Sequence, residues 1–279
     1  NFFTGGRSNV VHLMGNPCFE LLRHDVTFPL YVEVDEIYNL AGQTSVGLSF
    51  DQPVEAIESI AIGTLNILEV IRLLSKPVRF YNAGSSECFG DTGDTPANEQ
   101  TPFAPRSPYA VAKSTAKWLI NSYRESYGLY ACTGILFNHE SPLRPERFVT
   151  QKIIAGAAKI KAGQLDKLQL GNLDISRDWG WAPEYVEAMW LMMQLDKPDD
   201  FVIATGRKES LKYFVAKSFE YFDLDWQKYV EIEKSFFRPN EIVSSVGNPE
   251  KAIKTLGWKK PTDIDGVIKM MCAEKAKSI

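Results

Sequence analysis

Tyr109 and Lys113 stand four residues apart in "SPYAVAK" (107–113). Residues at i and i+4 share one face of a helix, so a helix here would project both side chains to the same side. A free tyrosine, with a pKa of about 10, is a poor base at neutral pH. An ammonium about 4 Å away is worth roughly 4 kcal/mol at an effective dielectric near 20, or roughly three pKa units. Such a pair could take a hydroxyl proton while a carbinol hydride leaves; the alternative is a tyrosine packed on a lysine stem. Upstream, "NAGSSECFG" (82–90) supplies more groups. Ser85 could hydrogen-bond the same oxygen as Tyr109. Glu87 could take a proton alpha to a carbonyl, although a surface position is the usual fate of a glutamate. Arg177 in "ISRDWG" and Arg238 in "FFRPNEIV" are planar forks suited to phosphate, or else to ordinary surface ion pairs.

These groups need a scaffold, and the hydrophobic pattern supplies one. "DEIYNLA" (35–41) reads as a buried strand, "VEAIESIAIGTLNILEVIRLL" (54–74) as a helix stopped by Lys76-Pro77, and "VRFYNAG" (78–84) as the next strand. Residues 107–128 read as a helix with Gly128 as its C-cap, and 130–138 as a strand. Strand–helix alternation of this kind predicts a doubly wound parallel sheet, whose ligands bind at the carboxyl ends of the strands. Those ends are "GQTSV", "GSSECFG" and "HESPLRPERF". Beyond residue 138 the pattern loosens. Helices are expected over 148–164 and 178–194, with a strand over 200–206 by which the chain crosses back to complete the sheet. Trp179 and Trp181 suit a core better than base stacking. The expected α/β fold is therefore of Rossmann type, with a smaller α/β substrate-binding domain. Residues 1–137 and 171–208 would form the NAD(P)-binding part, and 138–170 and 209–279 the substrate-binding part. No glycine turn followed by an apolar helix is found, so the first strand and turn of a dinucleotide-binding unit are expected to be missing from this sequence.

Composition narrows the function classes. The chain has 279 residues, 44% hydrophobic and 24% charged, with a formal net charge of −4. That balance argues against nucleic acid as the main partner. No apolar run approaches the roughly 18–20 residues of a membrane span, and "NFFTGGRSNV" has no signal-peptide pattern. The four cysteines are far apart and the histidines number three, so neither a metal site nor a disulfide framework is expected, and a cytoplasmic location fits.

The combination of serine–glutamate turn and Tyr-x-x-x-Lys resembles the extended short-chain dehydrogenase/reductase superfamily. "PFAPRSPYAVAK", "GILFNHESPLRPERFVTQKI", "LGNLDISRDWGWAPEYVEAMWLMMQ", "PDDFVIATG" and "FFRPNEIV" together resemble its GDP-mannose 4,6-dehydratase family over about residues 35–265. The first 35 residues are more similar to UDP-glucuronate decarboxylase. The resemblance implies NADP as cofactor, with NAD as the alternative, and oxidation at C4 of GDP-mannose followed by loss of water across C5 and C6. It makes Ser85, Glu87, Tyr109 and Lys113 catalytic. It places Asn1, Thr4, Arg7, Asp25, Leu40, Ala41 and Asn138 on the cofactor, together with Tyr109 and Lys113. Asp25, which follows an apolar run read as a strand, would contact adenine or else be a turn residue. Ser86, Asn138, Val149, Lys152, Arg177, Arg238 and Glu241 would hold the substrate, and Ser85 stands where the family usually has threonine. Gln151 stands where the family usually has arginine. A homodimer or homotetramer is implied. The alternatives are a related decarboxylase, epimerase or 4-keto reductase, or a non-catalytic nucleotide-sugar binding protein.

Overall fold

The computed structural model describes residues 6–74, 76–259 and 261–277. The chain divides into two compact units, Asn1–Gly84 with Ser107–Thr133, and Ser85–Arg106 with Gly134–Ile279. This division follows compactness and cuts the chain at other points than the division by ligand set out above.

The first unit begins with a 3-10 turn, Arg7–Leu13. Then come β1 (Glu36–Asn39), α1 (Val46–Asp51), α2 (Pro53–Ile57), α3 (Gly63–Leu73), β2 (Arg79–Ala83), α4 (Pro108–Tyr127) and the start of β3 (Ala131–Leu136). β1 and β2 pair in parallel from Glu36 opposite Arg79 to Asn39 opposite Asn82. The helix expected over 54–74 is interrupted by a π turn at Glu58–Ile62. Two hydroxyls bond back into the helix there, Ser59 Oγ to the Glu55 carbonyl (2.6 Å) and Thr64 Oγ1 to that of Ile60 (2.7 Å); such bonds compete with the regular ladder. The short α1 escapes a periodicity search, but Ser45 caps it by accepting from Leu48 N (3.2 Å). Leu68 and Ile71 of α3, Phe80 of β2 and Ile120 of α4 form the core between helices and sheet. The apolar run ahead of Asp25 forms no strand, contrary to expectation, because no neighbouring strand pairs with it; residues 19–25 have no regular structure.

The second unit adds a 3-10 turn (Ser86–Phe89), β4 (Asn138–Glu140), α5 (Val149–Lys161), β5 (Leu168–Leu170), β6 (Ser176–Arg177), β7 (Trp179–Trp181), α6 (Ala182–Met193) and β8 (Phe201–Ile203). After these come β9 (Glu209–Ser210), α7 (Leu211–Tyr221), α8 (Trp226–Tyr229), β10 (Val230–Ile232), β11 (Ser244–Ser245), α9 (Glu250–Leu256) and α10 (Ile264–Ala276). β8 lies parallel to Gly134–Leu136 of β3, which gives the strand order β1-β2-β3-β8 and the expected return of the chain to the sheet. The strand expected over 130–138 is divided, with β4 turning away to pair with β7. That pairing also corrects the helix expected over 178–194. Trp179–Trp181 is used as a strand, and the helix starts at Ala182, with a proline in its first turn. Trp179 lies in the core of this unit, with Ile153, Ile154, Phe214, Val215 and Met271. Among the described residues no helix is long and apolar enough to cross a membrane, and no group of three or more acidic, histidine or cysteine side chains could hold a metal.

Candidate active site

In the first unit, Ser107 caps α4 by accepting from Ala110 N (3.1 Å), and Pro108 occupies the first turn. This starts the helix one residue before Tyr109 and fixes the facing of Tyr109 and Lys113. Ala112 and Ala116 pack against Ile60, and the Tyr109 ring packs on the same cluster. Lys113 is buried, and its Nζ donates to the Ala83 carbonyl at the end of β2 (2.7 Å). The same ammonium lies 5.9 Å from the centre of the Tyr109 ring. A buried ammonium keeps its charge only when its donors find partners, and the strand end supplies one.

The residues expected to meet the cofactor are placed unevenly. Asn1 and Thr4 lie outside the described residues. Arg7 is exposed in the N-terminal turn. Asp25 closes a local turn, accepting from Thr27 N (3.1 Å) and Thr27 Oγ1 (2.9 Å). Leu40 is exposed just after β1, and Ala41 N donates to Asn39 Oδ1 (3.2 Å). The sequence reading missed the polar groups beside them. Asn39 Nδ2 donates to Asn82 Oδ1 (3.1 Å), joining the carboxyl ends of the two parallel strands. Asn82 Nδ2 and Gln43 Nε2 are buried donors with no hydrogen-bond partner among the described residues. Buried polar groups are normally bonded. Two orphan donors near the strand ends, where α/β sheets bind ligands, fit a cofactor rich in acceptor oxygens. The signal in sequence was an amide at the end of each strand, Asn39 and Asn82.

In the second unit the 3-10 turn carries Glu87. Ser85, buried, caps the turn by accepting from Glu87 N (3.3 Å), so its hydroxyl proton remains available to another acceptor. Ser86 is buried beside it. Phe89 anchors the turn in a cluster with Ile135, Phe137 and Val202; burying a phenyl ring of this kind stabilises by about 1.5–3 kcal/mol. Gly90 follows at φ +70, where a Cβ would lie 2.4 Å from the Ala104 carbonyl oxygen. Only glycine fits both that conformation and that approach.

Glu87 is partly buried. Burial raises its pKa above the usual carboxylate value, the charges of Arg177 and Arg238 pull it down, and Glu241 pushes it up. The structure thus brings four of the expected residues into one electrostatic cluster. Arg177, 5% exposed, donates to Glu241 Oε1 (3.2 Å) and to the Ser176 carbonyl (3.0 Å). Arg238 pairs with the same Glu241 oxygen at 3.8 Å. The Arg177 pair is therefore not a surface pair, whereas Arg238 keeps 39% of its side chain exposed. Val149 opens α5, and Lys152, one turn on, sits 4.4 Å from the Phe236 ring centre with its pKa lowered by burial. Asn138 is partly buried on β4, opposite Trp179. Gln151 bonds the carbonyls of Ser141 (3.0 Å) and Pro142 (3.1 Å).

Two supporting carboxylates were missed. Asp178, fully buried, accepts from Thr205 N (2.8 Å), Thr205 Oγ1 (2.7 Å), Gly206 N (3.0 Å) and Gly247 N (3.4 Å). Glu140, also buried, accepts from Thr150 Oγ1 (2.6 Å) and pairs with Arg144 at 3.4 Å. The only trace of Asp178 in sequence was its place beside Arg177.

The parallel sheet, the Tyr-x-x-x-Lys helix and the serine–glutamate turn define an enzyme of the extended short-chain dehydrogenase/reductase type. A structure of RMD from Pseudomonas aeruginosa complexed with NADPH has the same fold, with a TM-score of 0.84 at 22% identity, over 92% of this chain and 89% of that one. Residues 30–271 match the family described as GDP-mannose 4,6 dehydratase. GDP-mannose 4,6 dehydratase 1 of Arabidopsis thaliana is 49% identical over 247 residues, 87% of this chain and 68% of the relative. GDP-mannose 4,6 dehydratase 2 of Caenorhabditis elegans is 43% identical over 298 residues, 95% of this chain and 78% of the relative. The chain belongs to the GDP-mannose 4,6-dehydratase family, and the activity that goes with membership is dehydration of GDP-mannose, a lyase reaction.

Proposed function

We propose that Glu87 is the C5 base of this dehydration, that Tyr109 and Lys113 are the oxidation pair, and that NADP, with NAD as the alternative, is the cofactor. The observation that carries the reading is Glu87 itself, held in a capped turn with its proton affinity set by burial against two arginines. When bound, the nicotinamide supplies a hydride acceptor at C4 and a hydride donor at C6. Tyr109 takes the proton from the C4 hydroxyl, and the Lys113 ammonium stabilises the tyrosinate. Ser85 donates to the same oxygen. The C4 carbonyl acidifies C5, and Glu87 takes that proton. The hydroxyl on C6 then leaves as water, protonated with help from Glu87 or Ser85. C6 then gains the hydride and C5 regains a proton, which balances the one Tyr109 removed from the C4 hydroxyl, and the product is GDP-4-keto-6-deoxy-mannose.

Arg177 and Arg238 hold the diphosphate in this reading and Glu241 the ribose. Val149 and Lys152 meet the nucleotide, and Ser86 and Asn138 the sugar. Arg7, Asp25, Leu40, Ala41 and Asn138 meet the cofactor. The division into a cofactor part (1–137 and 171–208) and a substrate part (138–170 and 209–279) belongs to the same proposal. So do a cytoplasmic location and a homodimer or homotetramer, for which the apolar Val111 and Trp118 exposed on α4 are suited.

The test is incubation with GDP-mannose and NADP, with UDP-glucuronate in parallel, and products read by mass. Glu87→Gln keeps the size and removes the basicity. Its kcat is expected to fall by about 10²–10⁴-fold, with reduced-nicotinamide absorbance persisting and deuterium uptake at C5 lost. Release of 6-deoxy product at the wild-type rate would overturn the assignment.

A further inference from the structure

The segment that follows the Glu87 turn is tied to the segment that follows the arginine clamp. Asp91 comes directly after Gly90. Its Oδ2 accepts from Val243 N (2.9 Å) and Ser244 N (3.4 Å), and its Oδ1 accepts from Gly93 N (3.0 Å). Thr92 N donates to the Ser244 carbonyl (3.0 Å), and Thr92 Oγ1 accepts from Val246 N (3.0 Å). Ser244 Oγ donates to the Gly93 carbonyl (2.5 Å). Lys208 closes the knot, its Nζ on the Gly93 carbonyl (2.7 Å), Asp94 Oδ1 (2.7 Å) and Ser244 Oγ (2.6 Å).

These bonds are not decoration on a loop, because each of the two segments they join directly follows residues of the candidate site, Glu87 in one case and Arg238 and Glu241 in the other. Ser244 and Ser245 form β11, which pairs in parallel with Ser176 and Arg177 of β6. Ser176 N donates to the Val243 carbonyl (2.7 Å). Arg238 and Glu241 stand immediately upstream of Val243. One carboxylate therefore fastens the Glu87 turn to the chain that carries Arg238 and Glu241, one residue pair away from Arg177. Asp91 is suited to this. Burial acts to raise its pKa, but the backbone donors of Gly93, Val243 and Ser244, with the charge of Arg106, hold it below the usual carboxylate range. It remains an acceptor throughout the neutral range.

We propose that Asp91 is a positioning residue that clasps the Arg238–Glu241 segment to the Glu87 turn, setting both the grip on the substrate diphosphate and the basicity of Glu87. This rests on the roles proposed above for Glu87, Arg177 and Arg238. The groups whose charges act on Glu87 are Arg177 of β6 and Arg238 and Glu241 of the clasped segment. If the clasp opens, the arginines are less well held beside Glu87. The proton is then retained to higher pH, because a positive charge nearby is what favours the carboxylate.

The experiment compares wild type with Asp91→Ala, Thr92→Val and Thr92→Ser. GDP affinity is read by calorimetry, the pH profile of kcat with GDP-mannose is recorded, and thermal melts are followed in parallel. For Asp91→Ala, GDP affinity is expected to fall about tenfold, and the acid limb of kcat to move to higher pH. Thr92→Val should move both readings the same way and less far, because it removes one acceptor. Thr92→Ser, which keeps the hydroxyl, should restore both. Unchanged GDP affinity and an unmoved acid limb in Asp91→Ala would overturn the proposal. So would a loss of affinity that tracks the drop in melting temperature with the acid limb in place, since a purely structural role does that. Failure of the wild type to dehydrate GDP-mannose would overturn the function reading instead, and the GDP titration would still report on the clasp.

Discussion

Replacing Lys113 with methionine is the sharpest perturbation of the proposed oxidation pair, because the two side chains have similar length and differ in charge. The Lys113 ammonium lies 5.9 Å from the Tyr109 ring centre. With the ring centre as the mean position of a tyrosinate charge and an effective dielectric of about 20, the attraction is about 3 kcal/mol. That stabilisation exists only when Tyr109 carries negative charge, so it acts on the transition state for proton removal and not on ground-state binding. At 1.36 kcal/mol per factor of ten, Lys113→Met should lower kcat roughly 100-fold and leave KM nearly unchanged. Lys113 also donates to the Ala83 carbonyl (2.7 Å), and losing that partner in a buried place costs about 1–3 kcal/mol of stability. The two effects are separated by recording melts and working well below the transition. The assay is single-turnover stopped flow, following reduced-nicotinamide absorbance after mixing with GDP-mannose. A variant that is fully folded at the assay temperature and keeps kcat within threefold of wild type would refute the electrostatic role. Lys113 would then be a structural brace between α4 and the end of β2.

Two further outcomes are expected in the second unit. Arg238→Ala should weaken GDP binding about tenfold, as loss of a charge-assisted phosphate contact does, and should move the acid limb of kcat to higher pH. Burial already raises the pKa of Glu87, Arg238 is one of two charges opposing that rise, and the base works only when deprotonated; unchanged calorimetry and an unmoved limb would return Arg238 to a surface ion pair. Asp178→Asn should cost about 1–3 kcal/mol at pH 7, because an amide NH2 would face backbone N–H donors. Burial raises the Asp178 pKa to about 6. The folded protein therefore binds a proton between about pH 4 and 6 that the unfolded chain has released, and this contribution to stability falls as pH rises through that window. The gap between wild type and Asp178→Asn in urea melts should thus widen from pH 7 towards pH 4, and a constant gap would contradict the assignment.

Local signals in the sequence led to the elements that carry the candidate site because each is specified locally. Ser107-Pro108 before an apolar-periodic run starts α4, and Gly128 ends it at φ +66. The β2 strand and its serine–glutamate turn read directly from "VRFYNAGSSE". Parallel pairing and the return of β8 follow from strand–helix alternation, a pattern that survives without tertiary information. What escaped the reading is set by contacts between distant segments. Trp179–Trp181 has helical-looking neighbours but pairs with β4, about forty residues earlier in the chain. Asp91 and Asp178 look like turn residues until the backbone donors of Val243, Ser244 and Gly247 are brought to them. The π turn depends on where Ser59 and Thr64 hydroxyls land. No period or composition encodes those partners.

If Arg177 and Arg238 grip the diphosphate and Glu87 is the C5 base, as proposed, the charges around Glu87 couple binding to proton transfer. Glu241 takes both arginines, Arg177 at 3.2 Å and Arg238 at 3.8 Å, so the two forks are held in place before any phosphate arrives. In that state their positive field also reaches Glu87 and favours its ionised form. A diphosphate gripped by the same forks brings negative charge that offsets this field. The carboxylate then meets less opposition to accepting a proton, at the stage when the C5 proton must be taken. Basicity and substrate grip are coupled through Arg238 in this arrangement, so the two readouts of Arg238→Ala, GDP affinity and the acid limb of kcat, must move together. A variant that shifts one and spares the other would show that the clamp and the base are independent, and the shared Glu241 would then be only a brace for Arg177.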